Sequence, residues 1–208
     1  MARTVLAALK IDSDVIARAA LSLFATRGYQ ATTMDDIGAV LNIRGPSLYK
    51  HVRSKQELLQ RIMLGTMDTL IRNQLAALEA GGDLSTRLRR TVEAHVRYHA
   101  AHPQEAFVGN REIASLEPES RTHVLQMRDD YERRLRFLVE EGSANGDFSV
   151  PSAKLASFAI LEMGMGVAVW FDREGDLSID EVAYIYTEFA LRMVTGSSAP
   201  GAGQFIEA

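Results

Sequence analysis

Apolar residues recur along this 208-residue chain at spacings of three and four, the period of helices with one buried face. No stretch shows the two-residue alternation of a strand rich in β-branched residues. Ile16, Ala19, Ala20, Leu23 and Phe24 form one stripe, opened by a cap among Asp12, Ser13 and Asp14 and closed by Gly28. Thr32 or Thr33 caps a short helix that turns Met34, Ile37 and Leu41 inward. After Asn42, Gly45-Pro46 opens a second short helix, because proline fits a first helical turn. Ser54-x-x-Glu57 reads as a capping box on a long helix that runs to about Leu78 and stops at Gly81-Gly82. Further helices are expected at 85–101, near 107–116 after a break at Pro103, from Pro118 to Glu141, and at 153–170 and 178–194. Residues 142–151 read as a turn-rich loop. The pattern is all-α, about nine helices, with a small three-helix head on a larger helical body.

The most informative stretch is 32–59. Two short helices meet at a tight turn, and Asn42 there is the non-glycine residue best suited to a left-handed backbone. Ile37, Leu41, Ile43 and Leu48 can pack the pair at an angle, leaving the second helix free to enter a major groove. Charge supports this reading. The chain carries a net −4, yet residues 1–60 hold 8 Lys/Arg against 5 Asp/Glu, and residues 61–208 hold 15 against 22. A basic head on an acidic body lets one end approach phosphates. The chain has no cysteine, which excludes disulfides and thiol catalysis. No run approaches the roughly 18 to 20 apolar residues of a membrane helix, and no signal peptide is evident behind Arg3 and Lys10. The expectation is a cytoplasmic protein with no membrane partner.

The motif Thr33-x-x-Asp36-Ile37, then Ile43-x4-Leu48-Tyr49-x-His51-Val52, then Ser54-Lys55-x-x-Leu58 resembles the TetR (tetracycline-repressor-like) family of bacterial regulators. Gly38, usually alanine in the family, and Asn42, usually glycine, depart from its pattern; Gly38 would loosen its helix by up to about 1 kcal/mol. The resemblance implies a homodimeric, ligand-responsive repressor. Residues 1–55 would form the DNA-binding helix-turn-helix domain, 56–195 the ligand-binding and dimerisation domain, and 196–208 a disordered tail. Roles in operator binding follow from chemistry. Arg44 opens the reading helix and could fork onto a guanine edge, with Ser47 and Lys50 next along it. Gly45 and Pro46 would let the backbone approach closely. Tyr49 and His51 resemble the family's phosphate-contacting pair. Lys55 and Thr33 lie at helix starts, where free N–H groups already favour an anion.

In the body, 153–170 carries only Lys154 and Glu162 as charges and must be covered on more than one side. A two-fold partner explains this, and the resemblance implies a four-helix bundle made with the last helix. Phe158, Leu161, Met165, Val169, Tyr184 and Leu191 are the candidate dimerisation residues, with Gly164 and Gly166 allowing close helix approach. Val182, Ile185, Tyr186, Phe189, Ala190 and Met193 share one face of the last helix.

Phe107, Met127, Tyr131, Met163, Val167 and Trp170 are candidate liners of a pliable apolar pocket, or plain core. The stretches 102–112 and 163–171 resemble a TetR subgroup that responds to acyl-CoA thioesters; a lipophilic cation is the alternative effector. Under the acyl-CoA reading Arg111, Arg121 or Arg128 would face the phosphates, their other role being surface ion pairing. His95-x3-His99, with His102 behind, has a metal-compatible spacing, but buried or solvated histidines explain it better. No nucleophile–base pair at helical spacing marks an enzyme, and no cofactor is implied.

Overall fold

The computed structural model describes residues 11–196, and among them there is no strand. Nine α-helices and one 3-10 turn follow in order: α1 Ser13–Arg27, α2 Met34–Val40, α3 Gly45–Leu48, α4 Lys55–Glu79, α5 Leu84–Ala101, α6 Pro103–Arg111, the turn Ile113–Ser115, α7 Pro118–Asn145, α8 Ala153–Trp170 and α9 Ile179–Thr195. Apart from Gly196, the tail expected from 196 onward lies outside the described residues.

Side chains that satisfy free helix-end N–H groups fix most starts. Asp12 accepts from the amides of Asp14 and Val15, both at 2.9 Å, and Thr33 forms a full capping box with Asp36. Asp83, not foreseen as a cap, accepts from Thr86 at 2.7 Å. Ser54 accepts from the Glu57 amide at 3.1 Å, but the Glu57 carboxylate returns to the amide of Arg53 at 2.6 Å, so the expected box is only half formed. Such caps are worth about 1 kcal/mol each.

Two expectations about boundaries change. The break expected at Pro103 is present at His102, but the next helix starts earlier than expected: Pro103 itself occupies the first turn of α6, where its missing N–H costs nothing. The loop expected at 142–151 starts later, because α7 continues to Asn145. Gly142 sits inside that helix, and a Cβ there would lie 2.0 Å from the buried Phe148 ring, so its lack of a side chain serves packing.

Two apolar clusters hold the fold. The first joins α1, Ile37, Leu48 and Val52 of the head to Leu58, Leu59, Ile62, Met63, Met67 and Leu70 of α4, and continues to Tyr98, Val108, Val124 and Tyr131. Helix α4 therefore belongs to both head and body. The second cluster centres on α5, whose Leu88, Val92 and Val96 pack among α7, α8 and α9. Each such fully buried side chain contributes about 1.5–3 kcal/mol.

Helix α8 is more apolar than the sequence reading allowed: Ala153–Trp170 has mean hydropathy 1.4, enough by length and composition to cross a membrane. It packs against α5, α6 and α7, yet only 28% of this window is buried. Leu155, Phe158 and Val169 stand out from it, and Tyr184, Ile185, Phe189 and Met193 stand out from α9. The face expected on α9 is thus divided: Val182 and Ala190 are buried, with Ala183, Leu191 and Val194 beside them, while Ile185, Phe189 and Met193 are exposed.

Candidate functional site

The head presents one polar surface. Asn42 has φ 56°, the left-handed conformation expected of it, and lets α3 cross α2. Gly38, expected to loosen its helix, instead permits that crossing: a Cβ there would lie 2.8 Å from the Ile43 carbonyl oxygen and 3.0 Å from the Gly45 amide. Leu48 and Val52 are buried beneath the surface, whereas Arg44, Pro46, Tyr49, Lys50 and His51 are exposed and Ser47 is half-buried. Helix α3 proper is four residues long; hydrogen-bonded turns carry it on, His51 donating to Leu48 at 2.9 Å and Val52 to Leu48 at 3.1 Å. Among the described residues no carboxylate lies within 4.0 Å of the side-chain nitrogens of Arg44, Lys50 or Arg53. Arg53, missed in the sequence, is a further exposed cation on the loop that follows.

Three expected DNA contacts have other partners. Gly45 is buried, and a Cβ on it would meet Asp35 Oδ1 at 1.9 Å, so its smallness fits α2 rather than a duplex backbone. Lys55 donates to the carbonyls of Tyr29 and Thr32 at 2.9 and 2.8 Å, with its Nζ 4.2 Å from the Tyr29 ring centroid. A cation at a helix N-terminus is unfavourable; these two acceptors offset it and tie α4 to the α1–α2 connection. Thr33 remains exposed, but its hydroxyl is engaged by the Asp36 carboxylate at 2.5 Å, which holds Asp36 below the usual carboxylate range.

The body contains a cavity of about 250 Å³ walled by α4, α5, α6, α7 and α8. Thr66, Met67 and Leu70 come from α4, His95 and His99 from α5, Glu105, Ala106 and Asn110 from α6, Arg128, Tyr131 and Glu132 from α7, and Phe158, Leu161, Glu162 and Met165 from α8. His95 is locked in place. Its Nε2–H donates to the Leu161 carbonyl at 3.0 Å, so Nδ1 accepts from the Tyr131 hydroxyl at 2.9 Å. Burial pushes its pKa down to about 4, which keeps this neutral tautomer near pH 7. Both nitrogens are thereby occupied. His99 is buried with Nδ1 unpartnered, and burial, then the neighbouring His95 and His102, push its pKa down to about 2. Glu132, 8% exposed, accepts from Ser157 Oγ at 2.5 Å. Arg128 donates to the Gly109 carbonyl at 2.8 Å; burial lowers its pKa and nearby Glu162 partly opposes this.

Of the nine expected ligand residues, the structure brings only Arg128 and Tyr131 to this cavity. Phe107 and Arg111 line a neighbouring groove, the guanidinium 4.8 Å from the ring centroid. Val167 and Met163 pack in the second core, Met127 packs on the first, Arg121 is exposed, and exposed Trp170 stacks on Tyr186 at 6.1 Å. Three expected dimerisation residues also change place. Leu191 is 7% exposed and buried in the second core, Leu161 packs inward against both cores, and Met165 lies between cavity and groove. Phe158, Val169 and Tyr184 stay on the open face. Gly164 admits α5, since a Cβ there would lie 2.5 Å from His95 Cδ2, whereas Gly166 has nothing within 4 Å.

Head and body meet at α6. Glu112, its C-cap, accepts from the Tyr29 amide at 3.1 Å through Oε1 and from Ser115 Oγ at 2.9 Å through Oε2. Gln56 of α4 donates to the Ser115 carbonyl at 2.6 Å.

An outward helix-turn-helix on a helical body with a five-helix pocket defines a DNA-binding regulator. Residues 16–62 match the family model "Bacterial regulatory proteins, tetR family", and residues 81–194 match "Tetracyclin repressor-like, C-terminal domain". The chain belongs to the tetR family of bacterial regulatory proteins and is a transcriptional regulator. It is 27% identical over 174 residues to the HTH-type transcriptional repressor KstR2 of Rhodococcus jostii (strain RHA1), covering 83% of this chain and 85% of that protein. A tetR-family bacterial regulatory protein from Rhodococcus RHA1 superposes with TM-score 0.81 at 32% identity, covering 88% of this chain and 96% of that one. AibR in complex with isovaleryl coenzyme A and operator DNA shares the fold, with TM-score 0.76 at 23% identity, covering 87% and 96%.

Proposed function

We propose that this protein is a cytoplasmic, homodimeric repressor that leaves its operator when an acyl-CoA thioester enters the body cavity. The carrying observation is that one short helix, α6, both walls the cavity and holds the head, through Glu112 and the Tyr29 amide. A ligand that prefers a different tilt of α6 shifts the population toward a head orientation unsuited to the duplex. Arg44, Ser47 and Lys50 contact the major groove, with Tyr49, His51 and Arg53 on phosphates; Pro46, exposed beside them, lies against the bases. In the dimer two such surfaces sit about 34–36 Å apart, one helical turn of DNA. The open apolar face of α8 and α9, with Val169 89% and Tyr184 64% exposed, supports pairing with a second copy. The relative AibR, crystallised with isovaleryl coenzyme A and operator DNA, supports the effector class.

A second reading, a lipophilic cation as effector, is favoured by Glu105, Glu132 and Glu162 in the cavity wall against the single cation Arg128. Gel shift on the DNA flanking the protein's own gene, with and without acyl-CoAs and cationic drugs, tests both. Retardation is expected and acyl-CoA should relieve it; no retardation at low salt refutes the regulator assignment to this operator. Arg44→Ala with Lys50→Ala should abolish retardation and keep the dimer. Val169→Asp with Tyr184→Asp should give a monomer in sedimentation, and a dimer surviving these changes refutes the α8–α9 interface.

A further inference from the structure

Resting on the acyl-thioester reading, we propose that the Asn110–Met165 contact divides one ligand site into two compartments. The acyl chain fills the inner one, and operator release requires the ligand's polar half in the outer one, against the head. The inner cavity alone, at about 250 Å³, is smaller than ordinary ligand pockets of roughly 300–1,000 Å³. At about 30 Å³ per water-sized group it holds about eight carbons. The adjoining groove is about 540 Å³. The two share Ala106, Asn110 and Met165. Between them Asn110 Nδ2 donates to Met165 Sδ at 3.1 Å. A thioether is a weak acceptor on a side chain with three rotors, and Asn110 is exposed, so water can replace the bond when Met165 swings away.

Charge sorts the two halves of the ligand. Acids wall the inner cavity, but no acid lines the outer groove, whose one cation is Arg111. Among the described residues, that exposed guanidinium has no carboxylate within 4.0 Å and rests on Phe107. It is suited to fork onto phosphate. The outer groove also includes Ala25 and Thr26 from the last turns of α1, whereas no residue of α1, α2 or α3 lines the inner one. A ligand confined to the inner cavity therefore touches no residue of α1, α2 or α3 and meets the head only through α4; one that passes Met165 lies directly on α1.

The test compares octanoyl-CoA with the octanoyl thioester of N-acetylcysteamine, which lacks the phosphates and most of the polar arm. Melting temperature reports binding, and anisotropy of the labelled flanking DNA reports release. Both thioesters should raise the melting temperature, but only octanoyl-CoA should release DNA, the truncated thioester leaving DNA affinity within twofold. Arg111→Ala should weaken octanoyl-CoA binding more than tenfold and leave the truncated thioester unchanged. Met165→Ala should move the preferred acyl length up by about three carbons, and Met165→Leu should not; DNA binding without ligand confirms that both fold. Release by the truncated thioester equal to that by octanoyl-CoA overturns the partition and leaves the thioester reading standing. If neither thioester raises the melting temperature, both are overturned.

Discussion

Gly164→Ala tests the close approach of α5 and α8, two of the helices that hold the cavity. Adding a methyl to a mid-helix glycine ordinarily stabilises by about 1 kcal/mol. Here the new Cβ would lie 2.5 Å from His95 Cδ2, 3.1 Å from Nε2 and 3.3 Å from Val96 Cγ2. His95 cannot swing aside freely, because Leu161 and Tyr131 hold its two nitrogens. Overpacking of this kind costs about 1–3 kcal/mol, and losing the bond to Leu161 inside the protein costs about 1–3 kcal/mol more. Net of the helix gain, the expected loss is about 3 kcal/mol, or roughly 6–12 °C in melting temperature for a chain this size. Gly65, inside α4, is the matched control: nothing lies within 4 Å of its Cβ, so Gly65→Ala should raise the melting temperature by about 2–4 °C. Calorimetry at one protein concentration reads both, since the melting of the proposed dimer would depend on concentration. A Gly164→Ala variant as stable as the parent, beside a stabilised Gly65→Ala, would refute the tight α5–α8 contact.

Two more outcomes follow from the site. His95 is pushed from 6.5 down to about 4 by burial, so between those values the unfolded chain binds the extra proton and stability rises with pH. Lowering pH from 7.5 to 5.0 should therefore remove about 2 kcal/mol through His95, with His99 acting in the same direction; flat stability across that window, measured by chemical denaturation, contradicts its burial as a neutral group. Arg53→Ala should reduce the salt slope of DNA binding by about 1 without changing melting, whereas Lys55→Ala should lower melting because it unties the Tyr29 and Thr32 carbonyls. Equal melting for Lys55→Ala and the parent would return Lys55 to the phosphate contacts.

The head was largely legible because its signals are local. Asn42 needs a left-handed backbone, Thr33 and Asp36 cap each other three residues apart, and Leu48 and Val52 mark the covered side of a short helix. Lys55 misled because its acceptors lie 23 and 26 residues away, across a turn that no local pattern specifies. The cavity was poorly legible for the same reason. Its walls come from five helices, and the phase of each is set by packing: Val167 and Met163 look no different in sequence from Leu161 and Met165, yet only the latter two reach the void. Met67 and Leu70 of α4 are not among the expected liners, all of which lie from Phe107 onward in the chain. The His95-x3-His99 spacing suits a metal pair, but the same spacing that aligns two imidazoles equally delivers them to an apolar wall.

The single carboxylate of Glu112 spans the seam between the two functions, one oxygen on the Tyr29 amide and the other on Ser115. Under the proposed mechanism, pocket-wall residues on α7 and α8 lie apart from the exposed face of α3, and the two are coupled through α6 and the first core that they share with the head. On that reading, descendants of such a chain acquire new signals by changes in the pocket wall, provided that Glu112 with its two acceptances and the core shared by α1, α4 and α7 are kept.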